Sequence, residues 1–178
     1  MSAGTRARAI AILAALAVGG LGIWPTFGGP TALAAATVKK KDTDRAKKPA
    51  PKPPLPNRAD AASLAKVTLI TLNNAVTTGN FAVLRARSAL AFRKAFSAAK
   101  LRRQFAGFVK QRVDLSTIAG LAPVWSEGPA IDGAGRLRLR GRFNTAPRLV
   151  RFDIGYVWER GAWRLTHIAV DTTEPAKE

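Results

Sequence analysis

From Arg136 the chain reads Arg-Leu-Arg-Leu-Arg-Gly-Arg-Phe, a strict alternation over eight residues. Only a β-strand sends every second side chain to the same side, so this run predicts one arginine face and one apolar face. The following stretch, residues 149–159, places Val150, Phe152, Ile154, Tyr156 and Trp158 on one face. Arg160-Gly161 reads as a tight turn, residues 163–170 (WRLTHIAV) as the last strand, and residues 122–125 as a shorter one. Asn144 to Pro147 and the Gly133-Ala134-Gly135 segment read as hairpin connections. Strands in direct succession joined by tight turns predict a curved antiparallel sheet with one covered and one solvated face.

Upstream the period is helical. From Asp60, apolar residues recur at Leu64, Val67, Leu72, Ala75 and Val76, with Thr68 and Thr71 filling the stripe as far as Gly79. Gly79 suits the left-handed position that ends a helix, and Asn80 offers a side-chain acceptor to begin another at Phe81. Leu90, Phe92 and Phe96 follow. Ser97 then precedes a stretch with Leu101, Phe105, Phe108 and Val109 on one side and Lys100, Arg102, Arg103 and Lys110 on the other. Helices first and strands afterwards make an α+β domain, with N-terminal helices packed on the sheet.

That domain occupies residues 58–172, followed by a short disordered tail at 173–178. The remainder reads as address and tether. Arg6 and Arg8 precede an apolar run from Ala9 to Ile23, and small residues in an A-x-A arrangement follow at 32–34. This is the pattern of a signal peptide over residues 1–34, cleaved near Ala34. The run is shorter than the roughly 20 residues of a spanning helix and is broken by Gly19 and Gly20, so the mature chain is expected to be exported, periplasmic or secreted, with no transmembrane segment. Residues 35–57 are Lys- and Pro-rich, with five prolines between 49 and 56 and almost no large apolar residue. Such a linker buries too little surface to offset its ordering entropy.

The sequence contains no cysteine, which excludes disulfides, thiol nucleophiles, iron–sulfur clusters and cysteine-ligated zinc. Its net charge of +18 at pH 7 favours anionic partners without bearing on fold. Arg136, Arg138, Arg140 and Arg142 share one strand face, with Arg148 and Arg151 on the neighbouring strand. That ladder suits the phosphates or carboxylates of an anionic envelope polymer, and equally a solvated face on which Asp153 pairs with Arg138, Arg140 or Arg151. Nucleic acid is disfavoured, because the ladder lacks interleaved aromatics and export removes the chain from it.

The Gly79-Asn80 break, the Phe- and Leu-rich helices and the closing Glu159-Arg160-Gly161-Ala162-Trp163-Arg164-Leu165 strand together resemble the nuclear-transport-factor-2-like superfamily. The resemblance spans residues 60–171 and is nearest to the superfamily's small exported bacterial members. It implies a cone-shaped, cystatin-like arrangement of helices wrapped by a bent sheet, a conical pocket between them and homodimerisation through the sheet. On that expectation Phe152, Tyr156, Trp158, Trp163 and His167 line a pocket for a small apolar ligand, although aromatics at strand period also serve simply as core.

Enzymes of the superfamily place Asp or His inside the pocket, and here His167 is the only histidine. An isomerase-like reaction would need it as the base, with an orienting carboxylate that its own strand does not offer. Asp114, Glu127 and Asp132 fall in connections as turn and cap formers. No catalytic constellation, phosphate-binding loop, cofactor motif or metal-ligand spacing emerges. The expectation is a non-enzymatic binding or interaction module, with the polymer binder as the alternative.

Overall fold

The computed structural model describes residues 9–14, as a strand, and residues 53–173. The A-x-A motif, the Lys/Pro-rich stretch up to residue 52 and the tail beyond 173 lie outside the described residues.

Helix α1 spans Arg58–Thr78. Asn57 caps it by accepting a 2.8 Å hydrogen bond from the Asp60 amide, and Gly79 ends it with φ of 68°. Its buried face is built of Ala61, Ala65, Leu69, Leu72 and Val76, with Thr68 and Asn73 also inside. The expected stripe is therefore rotated: Val67 is exposed and Leu69 fully buried. Alanines at 61 and 65 bring the helix backbone close to the layer below, so the small side chains, and not the largest ones, mark the contact line.

Four short helices follow: α2 (Ala82–Ala86), α3 (Leu90–Ala95), α4 (Ala98–Gln104) and α5 (Ala106–Lys110). Helices of five to seven residues do not stand alone in water, and each is held by one buried anchor: Leu84, Phe92, Leu101 and Phe108. Asn80 accepts from the Ala82 amide at 3.0 Å and Ser97 from the Lys100 amide at 3.2 Å, so both polar starts read from the sequence are in place.

The strands are β1 (Ala9–Ala14), β2 (Val124–Ile131), β3 (Arg136–Phe143), β4 (Leu149–Glu159) and β5 (Ala162–Thr173). They form one antiparallel sheet in the order β1-β5-β4-β3-β2, which makes the molecule α+β. β1 comes from the apolar run expected to be a leader. Its backbone pairs with β5 from Ala9 opposite Thr172 to Ala14 opposite His167. β2 is longer than the predicted 122–125. It is an edge strand with two register irregularities, and it carries Gly128-Pro129, a pair that sequence reasoning takes for a break and an edge tolerates.

The β2–β3 hairpin turns on Asp132, whose carboxylate accepts from the Ala134 and Arg136 amides at 2.9 Å each. Arg160 (φ 53°) and Gly161 (φ 77°) connect β4 to β5 as a two-residue turn of the kind that matches strand twist. One further irregularity controls what faces where. Tyr156 pairs with Leu165, but the next pair is Gly155 with His167, which leaves Thr166 as an extra residue in β5. Leu165 is buried before this bulge, and Ile168, Val170 and Thr172 after it. Counting every second residue from Trp163 assigns His167 to the pocket. The bulge shifts the alternation by one and sends it to the opposite face.

Gly141 interrupts the arginine ladder for a steric reason. A Cβ there would meet the Val124 carbonyl at 2.6 Å and the Phe152 ring at 3.0 Å. Gly141→Ala is expected to cost about 1–3 kcal/mol through this backbone clash. Gly107→Ala, in α5 with open space around it, is expected to stabilise by about 0.5–1 kcal/mol. Urea denaturation of the two variants checks both signs.

Candidate functional site

A cavity of about 290 Å³ lies between α1, α2 and the β4–β5 hairpin. Leu64, Leu84, Ala162, Trp163 and Leu165 supply apolar wall, while Thr68, Thr71 and Tyr156 contribute hydroxyls. The Tyr156 side chain is fully buried. Its hydroxyl shares a 2.8 Å hydrogen bond with Thr68 Oγ1 and donates to the Leu64 carbonyl at 3.3 Å. Burial pushes the phenol well above its ordinary pKa, against the smaller opposing effects of Thr68 and the Arg87 charge, so Tyr156 acts as a neutral hydrogen-bonding group. Arg87 and Arg164 complete the lining. Among the described residues no Asp, Glu or His lines it.

The corner above the cavity is pinned to the sheet. The Ala89 amide donates to the Leu165 carbonyl at 2.8 Å, and Ser88 bridges to the same residue. Glu159 accepts from the Leu90 amide at 3.1 Å. The connection between α2 and α3 is thus fixed by backbone bonds to β5, which sets the width of the cavity on that side.

Of the five residues expected to line a pocket, the structure brings Tyr156 and Trp163 to this one. Trp158 packs edge to face on Trp163, with ring centroids 5.3 Å apart, and supports it from the neighbouring strand. Phe152 belongs to the core, between Phe143 at 5.4 Å and Trp125 at 6.0 Å. His167 is corrected to the outer face, for the reason of register given above, where its charge is felt by Asp153. Sequence reasoning missed Thr68, Thr71 and Arg87 as lining residues. The two threonines stood in the text as fillers of an otherwise apolar helical stripe, and that was their available signal.

The arginine ladder is present but largely engaged. Arg138 grips Asp153 with Nε at 2.9 Å and a second nitrogen at 2.6 Å. Arg140 bridges Asp153 at 3.1 Å and Glu127 at 3.0 Å, and Arg136 pairs with Asp132 at 2.8 Å. Burial raises the Asp153 pKa, but the hydrogen bonds and charge of Arg138, with the charges of Arg140 and His167, outweigh it and hold the carboxyl below its usual range. The end of the ladder differs. Arg142 bonds Asn144 at 3.2 Å and stands opposite Arg151, which in turn stands opposite Asp171 of β5.

Among the described residues no three His, Asp or Glu side chains group as a metal site, and no helix is long and apolar enough to cross a membrane.

A depressed carboxyl stabilises the fold above its unfolded pKa, and that contribution is lost as pH falls through the lower, folded value. Asp153→Asn is therefore expected to lower stability at neutral pH by about 1 kcal/mol, partial exposure keeping the effect small. The gap to the parent should begin to narrow at about pH 4 and close only as pH falls through the lower, folded value, where the parent's carboxyl also gains its proton. Thermal melts across pH 2–7 check this; a gap independent of pH would contradict it.

No family model matches the chain, and neither a curated protein nor a solved structure does.

Proposed function

We propose that the chain is an exported, non-enzymatic binding module of the nuclear-transport-factor-2-like kind, which holds a small, mainly apolar ligand in the cavity between α1 and the β4–β5 hairpin. The observation that carries this reading is an apolar cavity of about 290 Å³ with a buried tyrosine–threonine pair in its wall. A few oriented hydroxyls in an otherwise apolar lining are the usual design of a small-molecule site. Arg87 beside them favours a ligand with one polar or anionic end. Export rests on the leader pattern of residues 1–34, and the family reading on the order of helices and strands with the closing Gly-x-Trp-Arg-Leu segment.

The lining argues against the isomerase-like alternative, because general acid–base chemistry in the cavity would need a carboxylate or imidazole within reach. His167 is not among the residues that line this cavity.

Native mass spectrometry of the full chain recovered from its expressing cells, compared with a denatured sample, tests the proposal. A bound mass that disappears on denaturation is expected. Thr71→Trp, at a half-buried position in the lining, should reduce its occupancy at least tenfold while leaving the melting temperature within a few degrees. A bare mass in the parent, or equal occupancy in the variant, would count against the cavity as the site.

A second reading, the anionic envelope polymer, is favoured by one observation: Arg142 stands opposite Arg151, and its side chain bonds the neutral Asn144. Arg142→Glu with Arg151→Glu should abolish salt-sensitive retention on heparin or lipopolysaccharide resin if the sheet face is the contact. Retention that survives the double reversal assigns polymer binding elsewhere, the basic linker included.

A further inference from the structure

A second cavity, also of about 290 Å³, lies at the other end of β4, beside Val150 where the first lies beside Tyr156. It is closed by the end of α5, the turn at Asp114–Thr117 and the β3–β4 connection. Its lining is of a different character. Arg112 and Arg148 approach it from separate elements, with Thr117, Thr145 and Thr172 between them. Arg112 is held in the left-handed region, at φ of 50°, just past the α5 terminus.

Thr172 is the informative residue. Only 4% of it is exposed, and its Oγ1 has no hydrogen-bond partner. A buried hydroxyl is ordinarily satisfied, because leaving one unpaired costs about as much as a hydrogen bond contributes. The neighbouring hydroxyls do not share this state: Thr145 Oγ1 donates to the Arg148 carbonyl. Asp114 also lines the cavity, but its two oxygens are occupied by the Ser116 amide at 2.8 Å and hydroxyl at 3.0 Å. Those bonds, the backbone one foremost, hold its carboxyl below the ordinary range. Two arginines and a threonine with an unsatisfied hydroxyl thus line one space, whose acid Asp114 is already hydrogen-bonded to Ser116.

We infer that this second cavity binds a small oxyanion, the carboxylate or phosphate-monoester group of its ligand, between Arg112 and Arg148 with Thr172 Oγ1 as a neutral donor. Guanidiniums recognise these groups through paired N–H donors, and the hydroxyl adds a direction from the floor of the cavity. The site is independent of the first cavity and of what that one holds.

Inorganic phosphate and acetate, titrated separately into the isotopically labelled full chain, are the probes. Saturable amide shifts centred on Val150, Arg148 and Thr172 are expected with at least one of them. Thr172→Val should weaken binding about fivefold, the worth of one neutral hydrogen bond, while the melting temperature holds or rises because an unpaired buried hydroxyl is gone. Arg148→Gln and Arg112→Gln should weaken it tenfold or more, as charged hydrogen bonds do. Arg87→Gln in the first cavity should leave it unchanged. If an arginine variant fails to fold, Thr172→Val alone decides. No saturation up to ~10 mM of either probe overturns the inference. So does affinity indifferent to Thr172 and Arg148, or shifts spread over the arginine-rich surface. Phosphatidylcholine vesicles carrying phosphatidic acid then separate the sources. Phosphate-sensitive vesicle binding lost in Arg148→Gln assigns a lipid headgroup, and absence of vesicle binding beside a saturating phosphate site assigns a free anion.

Discussion

β4 is paired along its whole length with β5 and over Val150–Val157 with β3, and its inward residues are the surface on which the helices are laid. Val150, Phe152, Ile154 and Tyr156 are all buried there. The last of them also reaches up: the Tyr156 hydroxyl meets Thr68 of α1 across 88 residues of sequence. That bond fixes the height of the long helix above the hairpin, and the space beneath it is the first cavity. The short helices do not set this geometry. Each follows from one anchor dropped into the layer that α1 and β4 define.

The two faces of the sheet solve opposite electrostatic problems. Inside, polar groups are few and nearly all paired, as low dielectric demands. Outside, a strand with four arginines would repel itself, and Asp132, Asp153 and Glu127 are placed against three of them. These partners come from the β2–β3 turn, β4 and β2, so the ion pairs stitch neighbouring strands while they disperse charge. Beyond them Arg142 meets Arg151, and Arg151 faces Asp171 on β5.

Much of this architecture was legible from residue order, and the reasons differ by element. Arg136 to Phe143 announced itself because every second residue is charged. Gly79, Asn80 and Ser97 marked helix ends through chemistry that acts within a few residues. Asp153 as the partner of Arg138 and Arg140 followed from neighbouring strands with opposite charges. The rotated face of α1 did not follow, because burial there is decided by how closely Ala61 and Ala65 let the helix approach, and composition alone favours Val67. The full length of β2 was hidden by Gly128-Pro129. The cavities were hidden more deeply: Thr68 with Tyr156, and Arg112 with Arg148 and Thr172, come from distant segments that only the folded sheet brings together.

Thr166 acts on β5 as a single inserted letter acts on a reading frame. Before it, odd-numbered positions face the core; after it, even-numbered ones do. The strand can thereby seal the cavity with Trp163 and Leu165 and still deliver His167 and Asp171 to the charged side, with Ile168, Val170 and Thr172 beneath. Losing that one residue would transpose everything downstream, placing an imidazole and a carboxylate in the core and stranding three core side chains in water. Thr166 is thus among the least dispensable positions of the strand through its place in the count.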